Sequence, residues 1–351
     1  MGSKTPDMRP ASYIRRRGFV ARACVVLLLV SALALFFCLG VGSAGYALKN
    51  VWQSLAAHLS GGEADATAEL VLWRIRLPRS LLAYLVGAAL AVSGVLMQGV
   101  FRNPMAEPGL LGVSSGAALG AAAAMLLGLQ SSALGFSAVS VCAFAGGAAA
   151  VALVMFIARA GRGSLTSLLL CGVAVSSFLS ALLSGVLSIN HEAMESVYMW
   201  TLGSFASANM RDVLLVGAVL ACGLLLSMGL ARDLNAVSAG SNARLLGVNA
   251  PRVRLAALLL STLMTAAAVS VSGVIGFVGL TAPHVIRRLT GADHRSLLPL
   301  SALAGGLFLL LADALSRTLF APAELPVGVT TSLFGGPFFL ILIRRSRGGR
   351  A

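Results

Sequence analysis

Lysine is nearly missing from these 351 residues: Lys4 and Lys49 are the only two, and arginine carries the rest of a net charge of +14. Charged residues make up 11%, against about 25% in a typical soluble domain. No stretch is long and polar enough to fold as a separate water-soluble unit. A P-loop, G-x-x-x-x-G-K-[ST], is excluded because neither lysine follows the required glycines, so this chain does not cradle ATP in that manner. His191 and Glu192 are followed by Ala-Met-Glu, which rules out H-E-x-x-H, and no G-x-S-x-G nucleophile elbow is expected. The chain reads as a non-enzyme. Cys24, Cys38, Cys142, Cys171 and Cys222 all sit in apolar runs with no C-x-x-C or metal spacing, so they read as packing residues and no metal site is expected. Ionisable residues are scarce inside the apolar runs. Asp313 is the main one, with Arg317 one helical turn later as its pairing partner, which leaves little for an ion-coupled carrier to use.

What is present is apolar surface. Hydrophobic residues reach 58% and mean hydropathy is +0.91. Lipid rather than water must solvate that surface, and each helical crossing needs roughly 20 apolar residues. The runs predict an all-α integral membrane protein with ten transmembrane helices, at 22–45, 77–99, 109–128, 134–158, 165–187, 212–231, 253–272, 274–290, 298–318 and 328–343. The eighth is short and is broken by Pro283. Residues 23–39 follow an arginine cluster as a signal peptide would, but lack a small-residue cleavage site and read as a retained first span. The chain thus divides into an N-tail (1–21), a ten-span membrane domain (22–343) and a C-tail (344–351). With both termini cytoplasmic, twenty cations fall on the inner side and six on the outer, as the positive-inside rule requires.

Gly112, Gly116 and Gly120 form a G-xxx-G-xxx-G line suited to close helix packing. VSGVLMQGVFRNP (92–104) and VSGVIGFVGLTAP (271–283) echo each other in segments of opposite direction, the pattern of an inverted repeat. The best-charged inner loop, 231–254, predicts two short helices broken around Gly240, with apolar positions Leu234, Val237, Leu245, Leu246 and Val248 before Gly247 and Pro251. Such a pair makes a docking surface for a soluble partner. His58 and His191 fall outside, His284 and His294 at the inner end, and all four read as solvated rather than as ligands.

Residues 74–122 (RIRLPRSLLAYLVGAALAVSGVLMQGVFRNPMAEPGLLGVSSGAALGAA) and 273–343 (from GVIGFVGLTAPHVIRRLTGADHRSLL to TSLFGGPFFLILI) closely resemble the FecCD-type permeases of ABC importers for iron-siderophores, heme and vitamin B12. VYMWTLGSF (197–205) is similar to that family's outer loop. The resemblance implies a type II ABC importer permease fold with inverted-repeat organisation and a homodimer in the bacterial inner membrane. It further implies two cytoplasmic ABC ATPase subunits and a periplasmic substrate-binding protein, and no nucleic acid. ATP is used by the partner, no cofactor is held permanently, and the cargo is heme or a related iron chelate, with siderophores and vitamin B12 as alternatives. By the same resemblance Arg76, Arg79 and Arg317 dock glutamates of the binding protein. Asn103, Pro104 and Met105, with Ser164 and Thr166, form the cytoplasmic gate. Leu234, Val237, Gly240, Leu245, Leu246 and Gly247 belong to the ATPase-coupling loop.

Overall fold

Alanine- and leucine-rich runs of 20 or more residues have nothing to hydrogen-bond in lipid except their own backbone, so they close into helices. Asparagine, serine or aspartate stands at five of the described helix starts: Ser164, Asn190, Asn209, Asn249 and Asp293 each accept a hydrogen bond from the first turn. A computed structural model describes residues 10–41, 69–129, 136–160, 164–240 and 245–347, with residues 53, 57 and 243 between them. Eleven α-helices are described: α1 Pro10–Gly40, α2 Leu77–Phe101, α3 Val113–Leu126, α4 Ala138–Ala160, α5 Leu165–Ile189, α6 His191–Thr201, α7 Met210–Ala239, α8 Ala250–Ser272, α9 Val278–Thr290, α10 His294–Thr318 and α11 Val327–Arg347. A π-helical turn, Val71–Arg76, leads without a break into α2, and a 3-10 turn, Pro108–Leu111, precedes α3.

Each expected span overlaps one helix, and α6 is the additional short one. Seven helices are long and apolar enough to cross a membrane, while α3 and the apolar part of α11 are shorter. At 1.5 Å per residue α3 and α9 extend only about 20 Å, short of the roughly 30 Å hydrocarbon core. Both follow irregular backbone, at 102–112 and at 273–277. The helix α1 begins at Pro10, ahead of its apolar stretch Gly18–Gly40.

The core lies along α2, which packs most extensively on α10 and also meets α7, α8 and α9. Bare backbone permits these approaches. A Cβ on Gly87 would strike the Gly305 carbonyl on α10, and one on Gly94 would strike Gly279 on α9. The glycine line of α3 does the same against α4, with Gly116 on Gly146 and Gly120 on the Cys142 carbonyl. The sequence echo does not mark equivalent positions. Ser93 lies mid-helix and exchanges hydrogen bonds with Ser261 across α2 and α8, whereas Ser272 ends α8 and bonds back to Ala268. Gly94→Ala is expected to destabilise the permease by about 1–3 kcal/mol through overpacking. Gly229→Ala, where a Cβ meets nothing within 4 Å, serves as the near-neutral control. Denaturant unfolding of the two purified variants checks the contrast.

Candidate functional site

At one end of the bundle lie the three arginines expected at the outer face. They are not free charges on a rim: Arg76, Arg79 and Arg317 are 5%, 7% and 3% exposed. Arg79 donates from Nε and Nη2 to Asp313 Oδ1 (3.1 and 3.0 Å) and from Nη1 to Glu324 Oε2 (2.8 Å). Arg317 Nε pairs with Asp313 Oδ2 at 3.0 Å, the expected i,i+4 pair. Arg317 Nη1 donates to the Val41 carbonyl (2.9 Å), and Arg76 Nη1 to the Leu39 carbonyl (2.8 Å). Their burial has a simple cause. The backbone is already helical at Glu69, so Arg76 and Arg79 lie inside the helical run, where α10 supplies a fully buried carboxylate. The cluster ties the Leu39 and Val41 carbonyls at the end of α1 to α2, α10 and the segment after α10. Glu324 and the convergence of Arg79 on Asp313 had no local sequence signal, because the partners are 234 and 245 residues apart.

Mid-way along α2, the irregular segments before α3 and α9 face each other and leave a cavity of about 410 Å³. Glu107, Ser114, Ser176, Ser177 and Thr265 supply its polar groups, and Leu90, Val269, Ile275 and Phe277 its apolar wall. Thr265 is 2% exposed and its Oγ1 has no hydrogen-bond partner among the described residues. Beyond the cavity α5 exposes Ser177, Ser180, Ser184 and Ser188 along one stripe, among exposed Val173, Phe178, Leu182 and Val186. Residues 112–116, GVSSG, do spell G-x-S-x-G, contrary to expectation. The segment joins a 3-10 turn to α3, however, not a strand to a helix, so it lacks the geometry of a nucleophile elbow.

The other end holds the expected inner elements. Arg102, at φ 51°, ends α2 and donates from Nε to the Val237 carbonyl of α7 (2.8 Å). The turn that follows is closed by Asn103 Oδ1, which accepts from the Met105 N–H at 2.9 Å. Asn103 and Pro104 are exposed, and Met105 is half-buried. Ser164 Oγ accepts from the Ser167 N–H (3.0 Å) and so caps α5, and Thr166 is exposed. No described hydrogen bond joins 103–105 to 164–166. The 231–254 loop is not a pair of short helices: α7 runs on to Ala239 and α8 starts at Ala250. Leu234 and Val237 are fully buried in the bundle core rather than presented for docking, because they continue the i, i+3 face of α7. Gly240 (φ 123°) and Gly247 (φ 74°) shape the connection, and Leu245 and Leu246 are left 86% and 68% exposed. Beside them a groove of about 880 Å³ is lined by Arg232, Asp233, Asn235, Leu246, Asn249 and Arg252. His294 also departs from expectation, being 1% exposed and hydrogen-bonded to Asn235. His284 is half-buried, edge-on to Phe338, and His58 lies outside the described residues.

Broken helices around a mid-depth cavity, with a charged cluster at one end of the bundle and a groove at the other, suit a transport subunit, and residues 27–345 match the FecCD transport family. The chain belongs to the FecCD transport family. It is 43% identical over 345 residues to the hemin transport system permease protein HmuU of Yersinia pestis, covering 95% of this chain and 96% of that one. It is 42% identical over 299 residues to the cobalamin import system permease protein BtuC of Halobacterium salinarum, covering 84% and 79%. A solved structure described as an inward-facing ABC transporter of metal-chelate type superposes with a TM-score of 0.80 at 34% identity, covering 93% of this chain and 99% of that one. This FecCD member is therefore a multi-pass membrane protein of the ABC permease type, its relatives are transport components, and its family works with ATPase and substrate-binding partners.

Proposed function

We propose that this permease carries heme, or a related iron chelate, from periplasm to cytoplasm across the bacterial inner membrane. It works as a homodimer on two cytoplasmic ABC ATPases, receives cargo from a periplasmic binding protein, and has both termini in the cytoplasm. The single observation that carries the reading is the mid-depth cavity opening onto the serine stripe of α5. A lone carboxylate and a row of hydroxyls are costly against lipid tails, so this face suits a water-filled path or a second protomer. Likeness to a hemin permease along nearly the whole chain, at 43% identity, favours heme as the cargo. The apolar wall with scattered hydroxyls suits a bulky ligand that must also leave, since tight ligation would trap it.

In this reading the outer cluster of Arg76, Arg79 and Arg317 holds the surface on which the binding protein sits. The turn at Asn103, Pro104 and Met105, with Ser164 and Thr166 at the start of α5, closes the inner end. Gly240, Leu245, Leu246 and Gly247 form the surface that meets the ATPase, braced from behind by Leu234 and Val237. The experiment is uptake by vesicles holding the assembled complex, comparing hemin, a ferric siderophore and cobalamin, with and without ATP. ATP-dependent hemin accumulation above the other two is expected, and the permease alone should hydrolyse no ATP. Uptake that follows an ion gradient without the ATPase overturns the reading in favour of a secondary carrier.

A further inference from the structure

The inner groove does not end at its own surface. Asn235, on its wall, makes three polar contacts with the start of α10: Nδ2 donates to Asp293 Oδ1 (2.7 Å), and Oδ1 accepts from the His294 N–H (2.9 Å) and lies 2.7 Å from His294 Nδ1. Asp293 Oδ1 also accepts from the Arg295 N–H and so caps α10. The imidazole of His294 lies against α2 where Gly99 leaves room, since a Cβ there would come within 2.7 Å of Nε2. On the same turns of α7, Ser238 Oγ donates to the Gly99 carbonyl (3.2 Å) and the Val237 carbonyl accepts from Arg102. This stretch of α7 thus contacts α2 and α10 together, and those two helices are the most extensively packed pair in the protein. Gln98, one residue before Gly99, accepts from Arg287 on α9 (2.9 Å) and donates to the Gly279 carbonyl, which borders the mid-depth cavity.

We infer that Asn235 is a positioning residue that transmits load from the cytoplasmic groove to the α2–α10 pair, and through Gln98 to α9 and the cavity. The inference rests on the importer reading, in which an ATPase occupies the groove. A groove wall joined to the bundle only through apolar packing could slide when pushed. A side chain that uses both donor and acceptor in fixed directions passes displacement on, because a shift of the groove wall strains directional hydrogen bonds that hold the start of α10 in place. Asn235 touches no cargo, and its effect is confined to coupling.

The test uses the complex of permease and ATPase, with the five native cysteines replaced and Ser177→Cys as a reporter beside the cavity. The rate of thiol labelling is compared with and without ATP. In the parent the ratio should change roughly tenfold, the scale of typical allosteric coupling. Asn235→Asp sets two carboxylates face to face and is expected to bring the ratio close to one while ATP hydrolysis continues. The swap Asn235→Asp with Asp293→Asn restores a donor–acceptor pair and should recover most of the response. An unchanged ratio in Asn235→Asp overturns the inference, as does a swap that fails to recover it, or loss of hydrolysis together with assembly, which would mark a merely structural role. A parent that ignores ATP altogether sinks the importer reading itself, a distinct result.

Discussion

Asp313→Ala is expected to be the most damaging single substitution, at about 3–5 kcal/mol, the usual cost of leaving buried charge unpaired. Asp313 is fully buried and is the one acid that meets both Arg79 and Arg317, each at 3.0 Å. Without it the Arg79 guanidinium keeps Glu324, but Arg317 keeps only backbone carbonyls. Arg79→Ala should cost less than Asp313→Ala, since Asp313 retains Arg317. Replacing all three by apolar residues of similar size should recover much of the loss, because removing a whole buried ion group also removes its desolvation penalty. Denaturant unfolding of the purified permease measures all of these. The same series separates support from direct docking. An arginine variant of unchanged stability that binds the periplasmic protein more weakly contradicts a supporting role for the cluster, and a variant that loses both together agrees with it.

The second large effect is expected at the opposite end. Leu245 and Leu246 present two large apolar side chains to solvent beside the groove. Burying a leucine side chain contributes roughly 1.5–3 kcal/mol, so the two together are worth about 3 kcal/mol or more to a complex that covers them. Leu245→Asp with Leu246→Asp also forces two carboxylates to shed water at the contact. Affinity for the ATPase should fall at least about a hundredfold. Because neither side chain is packed in the permease, its own unfolding midpoint should not move. Binding titration against the purified ATPase, beside the unfolding curve, decides it, and wild-type affinity in the double variant would remove this loop from the coupling surface. Leu234→Asp should behave oppositely, unfolding the bundle before any question of docking arises, because Leu234 is fully buried.

Two apolar pairs, Leu234 with Val237 and Leu245 with Leu246, illustrate what could be read from the chain alone. All four lie within one charged stretch, 231–254, and all four are apolar, so composition places them near the membrane surface and no further. Which pair is left exposed depends on whether α7 stops at Gly240 or earlier, and helix ends are among the least certain features in a sequence. The outer arginines repeat the lesson. Charge counting sets Arg76, Arg79 and Arg317 on the outer side, but not that Asp313 and Glu324 consume Arg79, because ion pairing over more than two hundred residues is a tertiary event. Asn235 carried no signal at all, and Asp293 carried only that of a helix cap.

The sequence by itself determined the solvent, the helical class, the approximate place of each apolar run and, through long ungapped motifs, the family. These follow from terms that act locally: apolar transfer to lipid, obligatory backbone hydrogen bonding within a segment, and glycine spacing along one face. Only the tertiary structure decided that α3 and α9 are half-length helices flanking a cavity, that the outer guanidiniums are buried and paired, and that Asn235 joins the groove to α2 and α10. The reason is physical. A buried polar group takes its partner from whatever helix packing brings within about 3 Å, and that choice depends on the packing of the whole bundle rather than on the neighbouring sequence.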